Sequence, residues 1–168
     1  MSTTTSTPGT ATGSTRAESA ELTAVRAALR AEHAAVYGYG VVGGRIERSR
    51  RQEARGAYDA HRARRDELAR AVRDLGGSPD AAAAGYALPF AVDDSAAAVR
   101  LAAELEERVA AVYSDLVRAS TGARRSLATA ALREAAVRAV RWSGESVAFP
   151  GLAERAAAVP STSATPRT

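Results

Sequence analysis

The sequence predicts an all-α protein of four long helices, with a short joint between the first two and a long connector before the third. Apolar residues recur every three or four positions in four separate segments, which is the spacing of one helix face. No segment alternates apolar and polar residues as a half-buried strand would. The 168 residues are 46% hydrophobic but only 5% aromatic, so Ala, Val and Leu must form most of the core. These observations indicate one helical domain.

The two ends of the sequence differ in composition from the middle. Residues 1–17 and 159–168 are mostly Ser, Thr, Pro and small residues, with too little apolar surface to offset the entropy of ordering. We therefore predict disordered tails at 1–17 and 159–168 and a folded domain over 18–158. The sequence has no cysteine, no run of about 20 apolar residues and no secretory signal at its start. We expect a cytoplasmic protein without a membrane partner.

The first predicted helix, about Ser19 to Glu47, has a charged residue within its apolar stripe. The stripe consists of Leu22, Val25, Leu29, Glu32, Val36, Tyr39 and Gly43. Glu32 lies near its centre, whereas His33 lies about 100° further round, at the edge. Four glycines late in this helix each weaken it by up to about 1 kcal/mol relative to Ala. We expect them to permit close approach of a neighbouring helix or a local bend. They are Gly38, Gly40, Gly43 and Gly44.

The second predicted helix, about Arg50 to Leu75, also has polar residues in its stripe. That stripe consists of Ala54, Tyr58, His61, Arg65, Leu68, Val72 and Leu75. His61 and Arg65 are therefore expected to face the core. Because the joint before this helix is short, the first two helices should form an antiparallel hairpin that brings Glu32 and His61 to similar depth. The connector over about residues 76–94 is too long for a tight turn, so we expect it to cross the bundle.

The third predicted helix, about Ser95 to Ser120, begins after a favourable N-cap residue, Asp94. Its broad apolar face consists of Val99, Leu101, Leu105, Val109, Val112, Tyr113 and Leu116. Glu106 projects from within that face, whereas the neighbouring Glu104 and Glu107 point away from it. Glu106 is therefore another charged residue that the helical pattern directs into the core.

The fourth predicted helix, about Ala123 to Ser146, packs through an Ala-rich face. That face consists of Leu127, Ala128, Ala131, Leu132, Ala135, Ala139 and Trp142. Glu134 and Arg138 lie at its margin. The aromatic segment Phe149–Leu152 follows, and we expect it to cap one end of the bundle.

Two helices, a long crossing connector and two further helices are the arrangement of ferritin-like bundles. Several stretches also resemble an uncharacterised actinobacterial ferritin-like domain family, over about residues 20–152. These stretches are AEHAAVYGYGVVGGRI, AHRARRDEL, YALPFAVDD, LAAELEERVAAVYSDLV and AAVRAVRWSGESVAFPG. The resemblance implies a ferritin-like four-helix bundle with a long crossover between helices two and three. It implies no particular reaction, because what that family does is unsettled.

A di-metal centre in such a bundle needs more ligands than this sequence supplies. It takes one Glu from each of two helices and a Glu-x-x-His motif from each of the other two. Glutamates fill the single-Glu positions of the first and third helices. However, Tyr58 stands three residues before His61 where Glu is needed, and Val137 stands three residues after Glu134 where His is needed. Motifs of hydrolases, phosphate loops and dinucleotide sites are also missing. We therefore predict no di-iron cofactor and no catalytic residues.

The polar residues that face the core instead indicate an internal network of balanced charges. We predict an interior polar cluster that consists of Glu32, His61, Arg65, Glu106 and Arg138. Its hydrogen-bond partners are expected among Tyr39, Tyr58 and Tyr113. An unpaired buried carboxylate is costly, and Arg supplies several donors in a fixed fork. On this interpretation the chain is a ferritin-like protein of unknown molecular role, and not an enzyme.

Two other functions stay open from the sequence. One is a metal-binding oxidoreductase or metal-handling protein with an atypical site, since a single weak metal or a small anionic or polar ligand would also suit the cluster. The other is an Arg-rich interaction module for an acidic partner, because all 23 basic residues are Arg and the net charge is +4. Interleaved Asp and Glu, and the lack of a reading helix or base-stacking motif, argue against nucleic acid. Homo-oligomer formation stays open.

Overall fold

The computed structural model describes residues 11–145, with side chains from residue 20 onward. Its elements are α1 (Ala11–Arg45), a 3-10 turn (Arg48–Arg50), α2 (Arg51–Asp74), α3 (Ser95–Ala119) and α4 (Gly122–Ser143). Every regular element within this described range is helical, which confirms the prediction of an all-helical chain with four long helices. None of the described helices is long and apolar enough to cross a membrane.

The first helix is longer than the sequence pattern indicated. It begins at Ala11 rather than near Ser19, so it extends into the segment 1–17 for which we predicted a tail. Extending a helix adds one hydrogen bond per residue without the cost of a new nucleus, and composition alone does not reveal such an extension. The rest of the two predicted tails and the segment Phe149–Leu152 lie outside the described residues.

The helices pair in two hairpins. α1 packs along both α2 and α3, and α3 packs along α4. In contrast, no Cα atom of α2 lies within 8 Å of one in α3 or α4 in the described chain. The space between α2 and α4 is therefore bridged by side chains and not by close backbone packing.

The connector between α2 and α3 runs along α1. Near its start, the Asp80 carboxylate pairs with Arg30 at 2.8 Å, and the Asp80 carbonyl oxygen lies 3.0 Å from His33 Nε2. At its end, Ser95 Oγ accepts a hydrogen bond from the backbone N–H of Glu47 at 3.0 Å. Since the first contacts lie just past the middle of α1 and the last lies beyond its end at Arg45, the connector runs along the second half of that helix and does not form a tight turn. His33 holds the connector and lies outside the core, in agreement with its position at the edge of the stripe.

The glycines of α1 differ in what surrounds them. A Cβ added at Gly38 would lie 2.5 Å from Leu105 Cδ1, so the Leu105 side chain packs directly on this glycine and would have to shift to admit a larger residue. At Gly40, Gly43 and Gly44 an added Cβ would meet no atom within 4 Å. The expected close approach of a neighbouring helix therefore exists at Gly38 and is wrong for the other three.

The Ala-rich face of α4 is buried, but one of its predicted members is not. Ala128, Ala131, Ala135 and Trp142 are at most 3% exposed. Leu127 is 64% exposed, so the expectation that it packs in the core is wrong. It borders the space between α2 and α4, where no helix backbone lies close enough to cover it.

Candidate functional site: a buried polar network

A layer of charged residues separates two apolar clusters in the core. One cluster includes Val72, and the other includes Ala57. Between them lie Glu32 from α1, His61 from α2 and Glu106 from α3, all 0% exposed. The helical spacing places these three side chains on the inner faces of their helices, because each continues an apolar stripe. The core is therefore polar at the level where three helices meet.

His61 is hydrogen-bonded through both of its ring nitrogens. Nδ1 lies 2.7 Å from Glu32 Oε2, and Nε2 lies 3.1 Å from Glu106 Oε1. The ring also stacks on Tyr39, with 5.1 Å between the centroids. A carboxylate oxygen can only accept, so a ring with a hydrogen on each nitrogen satisfies both contacts.

The charges in this layer stabilise one another. Burial alone would lower the pKa of His61, but its hydrogen bonds and charge interactions with Glu106 and Glu32 raise it from 6.5 to about 9. Burial alone would raise the pKa of Glu106, but the hydrogen bond and charge of His61, together with Arg138, lower it. At neutral pH the layer therefore holds an imidazolium between carboxylates.

Glu106 binds a second cation and a tyrosine. Its Oε1 atom accepts a hydrogen bond from Arg138 Nε at 2.7 Å and another from the Tyr39 hydroxyl at 2.6 Å. Trp142 Nε1 donates in turn to the Tyr39 hydroxyl oxygen at 2.9 Å. The other carboxylate oxygen, Oε2, is buried and has no hydrogen-bond partner. All contacts of Glu106 therefore converge on one oxygen.

Glu32 has a matching tyrosine on its other side. The Tyr113 hydroxyl donates to Glu32 Oε1 at 2.6 Å, so both carboxylate oxygens of Glu32 are hydrogen-bonded. Burial and then the charge of Glu32 raise the pKa of Tyr113 well above its usual value. Burial and the charge of Glu106 act in the same direction on the pKa of Tyr39. Both tyrosines therefore remain protonated donors.

An outer ion pair connects α2 to α4. Arg64 NH2 lies 2.6 Å from Glu134 Oε2, and Arg138 NH1 lies 3.7 Å from the same oxygen. Three carboxylates are thus matched by three cations across the network. The carboxylates are Glu32, Glu106 and Glu134, and the cations are His61, Arg64 and Arg138. The charges of the network are therefore balanced among these six residues.

The structure brings four of the five predicted cluster residues together and leaves one outside. The four are Glu32, His61, Glu106 and Arg138. Arg65 is the exception, since its guanidinium pairs with Asp66 at 2.7 Å. Neighbouring residues on a helix point about 100° apart, so Arg64, and not Arg65, is directed toward α4. The placement of Arg65 in the cluster is therefore wrong.

Sequence reasoning overlooked two members of the network. Arg64 lies outside the predicted apolar stripe of the second helix, and Trp142 was expected to pack in the Ala-rich face of the fourth. A signal for Trp142 exists, because it follows Arg138 by four residues and so shares its helix face. Of the three candidate tyrosines, Tyr39 and Tyr113 join the network. Tyr58 instead lies under the guanidinium of Arg62, 5.7 Å from its ring centroid.

The donor set does not fit a di-metal centre. No group of three or more His, Asp or Glu side chains in the described part of the chain is arranged to hold a metal ion. Each nitrogen of His61 faces a carboxylate at hydrogen-bonding distance, and a metal would need a lone pair there. Arg138 provides the positive charge next to Glu106. The chemistry of the network is that of an internal ion pair.

Fold and network together define an all-helical protein of four helices with a charged interior. The chain belongs to the family described as a domain of unknown function (DUF4439), whose model matches residues 24–154. It is also similar to a conserved hypothetical protein, Rv2844, from Mycobacterium tuberculosis, known from a crystal structure. The identity is 38% and the TM-score 0.73, over 75% of this chain and 96% of that one. No match was found among curated proteins.

Proposed function

We propose that this chain is a ferritin-like four-helix bundle in which an ion-pair network takes the position of a di-metal centre. Its role is then binding or structural, and not redox catalysis. The observation that carries this proposal is the double hydrogen bond of His61, whose two nitrogens contact Glu32 and Glu106. The ferritin-like assignment is supported by the two hairpins and by the connector that runs along α1.

The protonation of His61 supports a network without metal. An imidazole binds a metal through a nitrogen lone pair, whereas the raised pKa of His61, about 9, keeps hydrogens on both nitrogens at neutral pH. A metal would have to displace one of these protons and break a contact with a carboxylate. The cost would include leaving Arg138 beside a newly introduced cation.

The unpartnered oxygen of Glu106 is the feature that comes closest to a metal ligand. Oε2 is buried and accepts no hydrogen bond. One oxygen supplies a single ligand, whereas a di-metal site needs bridging carboxylates and two imidazoles. The atom therefore suits a single hydrogen-bond donor better than two metal ions.

Iron content tests the proposal directly. Protein purified without chelators and reconstituted anaerobically with ferrous iron should retain well under one iron per chain after desalting. Exposure to oxygen should then give no iron oxidation beyond that of a buffer control. Glu107→Ala is the matched control variant, because Glu107 is exposed and follows Glu106 directly on α3.

The opposite result has a clear form. Two tightly held irons per chain, lost in Glu32→Ala and in Glu106→Ala but kept in Glu107→Ala, would overturn the proposal. That pattern would make the network an unusual set of metal ligands. It would favour the alternative of an oxidoreductase or metal-handling protein.

A further inference from the structure

A cavity of about 520 Å³ opens between α2 and α4, on the outer side of the buried network. Its α2 wall includes Gln52 and its α4 wall includes Arg133, Arg138 and Arg141. The volume falls in the range of small-molecule sites, roughly 300 to 1,000 Å³. The cavity exists because the backbones of α2 and α4 stay more than 8 Å apart at every Cα pair of the described chain.

The acidic residues of this cavity are already paired. Glu53 and Glu134 are the two carboxylates in its lining. Arg50 binds Glu53 at 2.8 Å, and Arg64 binds Glu134 at 2.6 Å. Neither Arg50 nor Arg64 belongs to the lining. The two negative charges are therefore neutralised by cations from outside the cavity.

Two of the lining cations have no such partner. No carboxylate among the described residues lies within 4.0 Å of the guanidinium of Arg133 or of Arg141, although Arg133 directly precedes Glu134 and Arg141 follows it by about two helical turns. The backbone oxygen of Arg141 accepts a hydrogen bond from Arg50 at 2.9 Å, and the Arg141 guanidinium forms no ion pair with the described residues. The cavity thus has an excess of two positive charges.

A third arginine connects the cavity to the buried network. Arg138 uses Nε to bind Glu106 at 2.7 Å, and its side chain is 16% exposed. Its NH1 atom is 3.7 Å from Glu134 Oε2, which is too long for a hydrogen bond. The terminal nitrogens of Arg138 therefore retain donors, and the contact with Glu106 holds the guanidinium in place at the cavity wall.

We propose that this cavity binds a phosphate dianion, either free or as the phosphate of a small monoester. A guanidinium presents paired donors that match the oxygens of a phosphate group. Two unpaired arginines and a third with spare donors supply the charge and the hydrogen bonds for three phosphate oxygens. The inference goes beyond the proposed function, because it concerns an open cavity outside the buried layer, which shares Glu134 and Arg138 with the network.

Calorimetric titration of the full chain tests this site. Inorganic phosphate, glycerol 3-phosphate and acetate are titrated at about pH 7.5 and constant ionic strength, so that screening is equal in every arm. Both phosphates should bind, and acetate, with one negative charge, should bind at least about tenfold more weakly. A higher affinity for the monoester would identify the bound group as part of a larger molecule, and equal affinities would identify phosphate itself.

Single substitutions locate the site. Arg133→Gln and Arg141→Gln should each weaken phosphate binding about tenfold or more, since each removes a charge-assisted hydrogen bond. Arg73→Gln is the matched control, because Arg73 is an exposed arginine of α2 that lies outside this cavity. Its affinity for phosphate should stay within about twofold of the unsubstituted protein. Thermal unfolding of each variant checks that it is folded.

Three results would overturn the inference: no heat of binding for either phosphate at millimolar concentration, equal binding of acetate, or equal weakening by Arg73→Gln. The last two would mean that general positive charge attracts the anion. These outcomes are independent of iron content. If the protein binds two irons and also binds phosphate, only the proposed function is contradicted. If it binds neither iron nor phosphate, only the phosphate site is contradicted.

Discussion

Raising the pH from about 6 to 9 should destabilise the protein, because folding keeps a proton on His61. The pKa of this group is about 9 in the folded chain and 6.5 for an ordinary histidine. The folded state therefore binds more protons than the unfolded state between these two values. The stabilisation is fully present below about pH 6.5 and is lost as the pH rises through about 9. The difference of about 2.5 between the pKa values corresponds to about 3 kcal/mol.

The measurement is denaturant unfolding, followed by circular dichroism at several pH values across this interval. The free energy of unfolding should fall by up to about 1.4 kcal/mol for each pH unit. The chain has 2 histidines, which provides a matched pair of variants. His61→Gln should remove most of this slope, whereas His33→Gln should keep it. A slope that persists unchanged in His61→Gln would refute the reasoning, since another group would then be titrating.

Two further predictions concern stability and are checked by chemical denaturation. Glu32→Ala should lower the free energy of unfolding by about 3 to 5 kcal/mol, because it leaves buried His61 without one of its carboxylates. Glu32→Gln should lower it less, since it keeps a hydrogen-bond acceptor. A Glu32→Ala protein as stable as the unsubstituted chain would mean that the residue is solvated. Gly40→Ala should stabilise the protein by up to about 1 kcal/mol, whereas Gly38→Ala should destabilise it because the added methyl group meets Leu105. Equal effects at the two glycines would contradict the described packing.

The inner polar residues could be predicted because helical periodicity alone places them. Glu32, His61 and Glu106 each take a position in an apolar stripe, and a stripe faces the core in any bundle of these helices. Their mutual contacts follow from the hairpin of α1 and α2 and from the packing of α3 on α1. The interior position of these three residues therefore follows without knowing how far apart the helices lie.

Residues at the edge of a stripe could not be predicted in the same way. Arg64 and Arg65 differ by one step around α2, and the choice between them depends on the separation of α2 from α4. Leu127 is exposed for the same reason, because its helix face borders that space. The separation of two helices is a property of the packed protein, and no spacing in the sequence reports it.

The charged layer also determines how the helices align along their axes. The inner face of α4 repeats alanine at Ala128, Ala131 and Ala135, so a shift of this helix by one turn, about 5.4 Å, would exchange similar small side chains. The same shift would carry Arg138 away from Glu106 and remove this ion pair from the buried layer, at a cost of several kcal/mol. An entirely apolar layer would tolerate such sliding. The ionic contacts therefore favour a single axial register of α4.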